Sequence, residues 1–532
     1  MSPSRGALVT GAVLTAAAAA TIAVVVWPEG SGTGLAGESS NPRTPAPAPS
    51  PTRSYPLSTA PRTIPAVREH TAAHGPGWRP GKDSGVVVAD GSGTLADEGQ
   101  LLARELKIHY RGEVPARAGD VELALAPGAG TPESYTLDVH DGRVRISGPD
   151  QAGVFYGTRT LKQSVRADGV MPEGEVRDRP DRPQRGFNLD IARKFYSVGW
   201  IEDRLREMAD LKLNQFGLHF SDDQAFRIES RTHPEVVSPQ HLTQAEVRRI
   251  VDLASRLHIE VVPEIDSPGH LGAVLRAHPD LQLRNASGTP SPGSLDISKP
   301  GSAKLVDELL GEYTELFTGA YWHLGADEYL ALMARDPAAS YPQLQRAAQQ
   351  KYGAQAGIKD LATGWLNDRA AVVRPHGKRP KAWNDGFFRG GVVHADKDIE
   401  VEYWTGKEYG ARQPEEYLGE GRRLVNLNDE YLYYVLGQPN NFVYPTGERI
   451  YQQWTPLVLR GTQPVPARYS GQILGGRFAV WGDLPQAQTT EQVAQGIRMP
   501  LRAVAQKLWV PGKPALSWDR FRELATRIDR AG

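Results

Sequence analysis

The chain contains no cysteine, and that absence excludes disulfides, thiol nucleophiles, cysteine-ligated metals and an anchor through a lipidated cysteine. It does not exclude export. Net charge is missing too: 61 basic against 62 acidic residues leave −1 at pH 7, so no charged field points to nucleic acid or to a polycation. No Gly-x-Gly-x-x-Gly or P-loop follows any strand candidate, which counts against a nucleotide fold. The histidines His219, His270 and His323 show neither His-x-x-x-His nor His-x-His spacing, so no metal and no other cofactor is expected.

What is present is an ordinary globular composition, 40% hydrophobic and 23% charged, over 532 residues, enough for two or three domains. Arg5 precedes an uncharged Ala- and Val-rich run from Ala7 to Trp27, close to the ~20 residues that span a bilayer. Residues 1–36 read as a signal peptide, with a small-residue site near Gly34-Leu-Ala36, or as a retained N-terminal anchor. Both readings place the chain outside the cell, secreted or on the surface. Residues 37–65 are rich in Pro, Ser and Thr and read as a stiff linker.

From 66 to 182 the pattern is short strands with two helices. Gly85–Ala89 has the look of a buried strand and Leu95–Leu106 has helical spacing. Tyr135–Val139 and Val144–Ser147 flank Asp141-Gly142, a hairpin signal. This is a small α+β domain without a concentration of reactive side chains, and a packing or presentation role is expected of it. From 183 to 532 strands and amphipathic helices alternate. The strand candidates are Gly186–Ile191, Gln215–Phe220, Ile259–Ile265, Tyr321–Leu324, Pro380–Trp383, Glu400–Trp404, Arg423–Leu427 and Arg477–Trp481. Thr243 and Glu246 open one helix at capping-box spacing. Eight such units point to an α/β fold, a (β/α)8 TIM barrel with C-terminal helices, the alternative being a doubly wound open sheet.

In a parallel β/α protein the chemistry lies at the carboxyl ends of the strands. There stand Asp190 and Arg193; His219, Asp222 and Asp223; Glu264, Asp266 and His270; Asp327 and Glu328; and Trp383, Trp404 and Trp481, with Asp429 and Tyr431 after strand seven. Asp327-Glu328 is one of seven acidic doublets, so its meaning comes from these neighbours. Any single tryptophan at a strand end is more often core than platform. Three together suggest a sugar pocket, where aromatic faces meet the C–H faces of a pyranose and charged groups bind its hydroxyls. One of Asp222 and Asp223 has an ordinary helix-capping role as its alternative, and Arg193 has simple pairing with Asp190.

Four ordered motifs carry a specific resemblance: Arg185-Gly-Phe-Asn-Leu-Asp-Ile-Ala-Arg193, Leu218-His-Phe-Ser-Asp-Asp-Gln-Ala-Phe-Arg-Ile-Glu229, Pro263-Glu-Ile-Asp-Ser-Pro-Gly-His270 and His323-Leu-Gly-Ala-Asp-Glu328. Together they resemble glycoside hydrolase family 20, the β-N-acetylhexosaminidases and their relatives, over about residues 121–510, including the small domain before the barrel. The resemblance implies a retaining, exo-acting hydrolase in which the substrate's 2-acetamido oxygen is the nucleophile and an oxazolinium forms, so that one acid/base suffices. By position Glu328 would be that acid/base, with a raised pKa, and Asp327 would orient the acetamido N–H. Arg193 would bind hydroxyls, Asp222 with His270 would support the acid/base, Trp383, Trp404 and Trp481 would wall the acetamido pocket, and Tyr431 would hydrogen-bond the acetamido oxygen.

Successive residues of a strand point to opposite faces, so for Asp327 and Glu328 to share one sugar the chain must leave β geometry near Gly325. Two departures fall on the substrate side. Trp481-Gly482-Asp483 stands where the family has a glutamate, and Tyr431-Leu432-Tyr433 stands where it has Tyr-x-Asp. Both open room for a substituent on the terminal sugar, as in the lacto-N-biosidases of the family, while a small backbone shift would let Asp483 reach the same hydroxyls. The expected partner is therefore an N-acetylhexosamine-containing oligosaccharide or polysaccharide, with release of terminal GlcNAc or GalNAc preferred and release of Gal-GlcNAc as the alternative. A non-catalytic glycan-binding protein would have no need of both Asp327 and Glu328.

Overall fold

The computed structural model describes residues 54–407 and 411–530. The expected signal peptide or anchor, 1–36, and the linker as far as residue 53 lie outside the described residues. The end of that linker behaves otherwise than expected. Thr63 and Ile64 are buried; the Ile64 amide donates to Gln163 Oε1 at 2.7 Å, and Gln163 Nε2 donates back to the Ile64 carbonyl at 2.8 Å. A proline-rich stretch cannot build a core, but it can lie along one and lend it backbone hydrogen bonds. Among the described residues no helix is long and apolar enough to cross a membrane.

The small domain is a seven-stranded sheet of β1 (Glu69–Ala72), β2 (Gly85–Val88), β3 (His109–Gly112), β4 (Val121–Leu125), β5 (Tyr135–His140), β6 (Arg143–Gly148) and β7 (Gly174–Asp178) in the order β1-β7-β5-β6-β4-β2-β3. Its helices are α1 (Ala96–Leu106) and α2 (Gln151–Asp168). The β5–β6 hairpin turns on Asp141 and Gly142, both at positive φ (52° and 69°), the backbone that a two-residue turn of right-twisted strands requires. Three strands had no clear sequence signal: β1, β3 and β7 are short and polar, with no apolar alternation to mark them.

The larger part is a closed parallel barrel. Its strands are β8 (Gln184–Asp190), β9 (Gln215–His219), β10 (Glu260–Glu264), then, after an outer hairpin of β11 (Gln282–Arg284) and β12 (Pro290–Leu295), β13 (Tyr321–His323), β14 (Arg379–Trp383), β15 (Glu400–Tyr403) and β16 (Leu424–Asn426). The short β17 (Tyr433–Val435) precedes the last strand, β18 (Ile473–Trp481), which pairs with β8 on one side and β16 on the other. That pairing closes the ring, and the open-sheet alternative falls. Around it run helices such as α3 (Val198–Asp210) and α4 (Gln244–Arg256), the latter held by the reciprocal Thr243–Glu246 capping box.

Strand seven is broken. The first part of β18 pairs with β16, whereas Ala479 and Trp481 face Tyr433 and Val435 of β17. Between them Asn428 makes the bend: its side chain donates to the carbonyls of Val458 (2.9 Å) and Gly461 (3.0 Å), and its own carbonyl accepts the amides of Tyr431 and Leu432.

A buried polar knot ties the small domain to the barrel. Asp178 of β7 accepts the Tyr135 hydroxyl (2.6 Å), the Trp509 indole N–H (3.0 Å) and the ammonium of Lys212 (3.2 Å), and neither Asp178 nor Lys212 exposes side-chain surface. Removing one partner of a buried pair leaves the other charge uncompensated, at about 3–5 kcal/mol. Asp178→Ala is expected to lower the unfolding free energy by that order in denaturant titration, and a loss below about 1 kcal/mol would show the knot to be dispensable.

Candidate active site

The turn after β13 decides the site. Gly325 (φ 69°), Ala326 (φ 80°) and Glu328 (φ 46°) all take left-handed backbone. That conformation is uncommon for residues with a Cβ and is strained unless the surroundings hold it. Asp266 does the holding: its Oδ1 accepts the Ala326 amide at 2.9 Å, and a Cβ on Gly325 would stand 1.6 Å from that oxygen. The Glu328 amide is taken by Asp385 Oδ2 at 3.1 Å. The chain thus leaves strand geometry where expected, and Asp327 and Glu328 line one pocket.

That pocket, of about 170 Å³, gathers eight of the ten residues picked from the sequence: Arg193, His270, Asp327, Glu328, Trp383, Trp404, Trp481 and Asp483. Asp222 stands behind it, with its carboxylate 2.8 Å from Arg193, 2.8 Å from His219 Nε2 and 3.3 Å from His270 Nδ1. Tyr431 is not part of it. Its hydroxyl points to Gln453 Oε1 at 3.4 Å and its ring lies under the Arg449 guanidinium. The tyrosine in the pocket is Tyr433, and two residues on, where the family pattern has a carboxylate, is Val435. Expectation and structure differ because the chain bends at Asn428: between the Asn426–Gly476 and Tyr433–Ala479 pairings the register against β18 slips by four residues, and the stretch that next faces the pocket starts at Tyr433. The one sequence signal for it is the alternation Tyr433-x-Val435.

The aromatic wall is continuous. Tyr433 stacks flat on Trp404 (centroids 5.7 Å apart, planes at 1°) and tilts against Trp481 at 5.6 Å, which meets Trp383 at 5.9 Å. Two indoles are fixed by acids, Trp383 Nε1 to Glu264 at 2.7 Å and Trp404 Nε1 to Asp385 at 3.0 Å. Asn440 and Phe442, absent from the sequence reading, complete the rim. They come from a loop with left-handed Gln438, Asn440 and Asn441.

The acids divide into two kinds. Burial opposes charge on Asp222, yet His270 and Arg193 hold its carboxyl well below the ordinary range. Burial would lower the His270 imidazole, but Asp222 and Asp327 carry it well above its usual value. Asp327 is raised by burial and by Glu328, Asp266 is raised well above the usual range by burial and Asp327, and Asp385 is pushed up to about 8 by burial and Asp327. Glu328 runs against expectation. Its side chain is 48% exposed, and the contact with His270, Nε2 to Oε2 at 3.4 Å, lowers its pKa rather than raising it. Asp327 Oδ1 is buried with no hydrogen-bond partner among the described residues. Two acid–imidazole groups here have ligand atoms within 4.8 Å, Asp222–Asp223–His270 and Asp266–His270–Asp327. They share His270, which Asp222 and Glu328 already flank.

Two family models match the chain: glycosyl hydrolase family 20, catalytic domain, over residues 183–511, and glycosyl hydrolase family 20, domain 2, over residues 60–179. A lacto-N-biosidase of Bifidobacterium bifidum is 31% identical over 486 residues, 89% of this chain and 42% of that protein. A beta-hexosaminidase of Porphyromonas gingivalis is 28% identical over 446 residues, covering 75% and 53%. The chain thus spans about half the length of these relatives. Among solved structures, the Flavobacterium johnsoniae chitobiase superposes with a TM-score of 0.71 at 25% identity, covering 89% of this chain and 73% of that one.

Asp385 titrates in an informative window. Its folded value, about 8, lies above the ordinary 3.8, so its protonated form favours the native state below about pH 4 and that contribution is lost as pH rises through about 8. Asp385→Asn cannot titrate, and its Tm should fall less steeply than that of the wild type between pH 4 and 8. Parallel curves would refute the assignment.

Proposed function

The chain belongs to glycosyl hydrolase family 20, and from that premise we propose that it cleaves β-linked N-acetylhexosaminides with retention, using the substrate's own acetamido group as nucleophile. One observation carries the reading: the unpartnered, buried Asp327 Oδ1 and Tyr433 both belong to the pocket that holds Glu328. Asp327, whose neighbouring donor is the raised carboxyl of Asp266, has room to accept an N–H, and a phenol stands by to donate; the two complement an acetamido group, with Asp327 accepting its N–H and Tyr433 donating to its carbonyl oxygen.

In this reading the carbonyl oxygen attacks the anomeric carbon, the glycosidic C–O bond breaks, and Glu328 gives its proton to the departing oxygen. Asp327, ionised as it accepts the acetamido N–H, stands beside the oxazolinium, whose positive charge offsets the burial that disfavours the carboxylate. Glu328 then takes a proton from water as that water opens the ring. Arg193, held by Asp190 (3.1 Å) and Asp222, is left to bind sugar hydroxyls. The lowered Glu328 fits this role through His270: the two share one proton, which rests on the imidazole in the free enzyme and moves to Glu328 when sugar displaces water from the exposed carboxylate.

A second reading concerns the far edge of the sugar. Val435 and Phe442 make that edge apolar, and Asp483, raised by burial, lies near enough to the Arg193 guanidinium for it to oppose that shift. A pocket without a carboxylate at Val435 grips a bare terminal sugar less firmly and leaves room for a further residue on it. Release of a disaccharide headed by galactose, the activity named for the B. bifidum relative, is the reading this edge favours. Assays of p-nitrophenyl β-GlcNAc, β-GalNAc and lacto-N-bioside decide between them: turnover of the disaccharide alone selects the second, and turnover of none rejects both.

Glu328→Gln should lower kcat by roughly 10²–10⁴ on substrates with a poor leaving group, and a thiazoline analogue of the intermediate should inhibit the wild type. Full activity in the variant, or indifference to thiazoline, would refute the mechanism. In the wild type the alkaline limb of kcat/KM should follow the raised His270. In His270→Asn only Glu328 carries the proton, and the limb should move to lower pH; an unmoved limb would exclude proton sharing.

A further inference from the structure

Away from the pocket, two loops bring together a second set of imidazoles and carboxylates. His233 and Glu235 lie at the short turn Pro234–Val236, and His278 follows the helix α5 (Gly272–Ala277). His233 Nδ1 and His278 Nε2 approach the same oxygen, Glu235 Oε1, at 2.9 and 3.0 Å. The three ligand atoms fall within 4.8 Å of one another. The other nitrogen of His233, Nε2, is 3.1 Å from Glu308 Oε2 on the helix α6 (Pro300–Leu316).

His233 has a carboxylate at each nitrogen, an arrangement that calls for a positive centre on the Glu235 side, since a neutral imidazole carries one N–H and donates to one of the two only. A metal cation there would supply that centre in place of a second ring proton. His233 Nδ1 would give it a lone pair, His278 Nε2 a second and Glu235 a carboxylate oxygen, while His233 Nε2–H donates to Glu308. A metal-bound histidine held by a carboxylate at its far nitrogen is the usual outer support of a zinc ligand. With bonds of about 2.0–2.2 Å, neighbouring ligand atoms of a tetrahedral site stand about 3.3 Å apart, so the two Glu235 contacts need open only slightly.

We propose that His233, Glu235 and His278 form a structural site for zinc or a similar borderline divalent cation, with water as the fourth ligand and Glu308 orienting His233. The donor set, two imidazoles and one carboxylate, suits zinc and not magnesium or calcium, which prefer oxygen alone. None of the four residues lines the sugar pocket. The metal would act as a clip. The loop after β9, which carries Asp222 and Asp223, already holds the segment after β10, which carries His270, through the Gly272 amide on Asp223 Oδ1 (2.9 Å) and Arg276 on the Asp223 carbonyl (2.8 Å). A metal at His233 and His278 fastens the same two segments a second time, farther from the sugar.

The full chain, stripped with a chelator, is titrated with Zn²⁺ at pH 7.5 by calorimetry and by thermal shift. One zinc per chain and a rise in Tm are expected, with no response to Mg²⁺. His278→Gln and Glu235→Gln should lose the tight site and the Tm rise, and Glu308→Gln should weaken binding roughly 10–100-fold, while metal-free Tm values near the wild type show that the variants fold. X-ray absorption on the zinc-loaded wild type should report two imidazoles in the first shell, a reading that needs no variant. Absence of binding, a first shell without two imidazoles, or undiminished uptake by His233→Gln/His278→Gln, as expected if zinc sat at the groups around His270, would overturn the proposal.

Discussion

A run of alternating acids and imidazoles crosses the mouth of the barrel, and the site hangs on it. Glu402 lies 3.8 Å from His323, His323 3.3 Å from Glu264, Glu264 3.1 Å from His219, and His219 2.8 Å from Asp222. Asp222 then meets His270 at 3.3 Å, and His270 meets Glu328 at 3.4 Å. Within the run each acid lies between imidazoles and each imidazole between acids, and at its end Glu402 is paired with Lys381 (3.2 Å) and Arg477 (2.6 Å), so the ionisable groups compensate one another in low dielectric. His219 is raised to about 10 despite burial, with Glu264 and Asp222 responsible. The chain also orients the pocket, since Glu264 holds Trp383, and Asp222 holds Arg193. To remove one member is to orphan two.

The second group of acids obeys the opposite rule. Asp266, Asp327 and Asp385 crowd together with few cations, and all three are raised. His270 is where the two regimes meet. Environments that push like groups apart are how a site assigns different tasks to carboxylates at one pH. In the proposed chemistry the split has a direct use. A carboxyl that burial makes reluctant to ionise gains most when a cation forms beside it, so Asp327 would interact more strongly with the oxazolinium than with the substrate, which is what lowers a barrier.

Much of this was legible in the sequence. The eight barrel strands are marked by apolar runs between amphipathic helices, and the exit from strand geometry at Gly325 follows from two adjacent carboxylates that must serve one ligand. Eight pocket residues could be read because they sit at strand ends, where position in the sequence translates directly into position on the barrel mouth. Whatever depended on loops or on electrostatic context was not legible. Asp385 looks like any acid after a tryptophan; its importance comes from the Glu328 amide and the Trp404 indole that converge on it. Partial burial and the neighbouring Asp327 lead one to expect a raised Glu328, but the imidazole 3.4 Å away, which no sequence spacing reveals, lowers it.

The break in strand seven shows how a local bend becomes a statement about substrate. A regular strand from Leu424 onward would give no reason to pass over Tyr431, and the residue two further on would be another tyrosine, able to hydrogen-bond the sugar edge. Asn428 instead spends its side chain on the Val458 and Gly461 carbonyls, ending the strand early so that pairing resumes against Trp481 with Val435. A valine offers no hydrogen bond to a sugar hydroxyl, and a buried hydroxyl without a partner is costly. An unsubstituted sugar hydroxyl at this edge would therefore pay for its burial, whereas a hydroxyl already consumed in a glycosidic bond would not. Under the proposed disaccharide reading the apolar edge would discriminate by what it withholds, which is the physical argument for that reading over the bare terminal sugar.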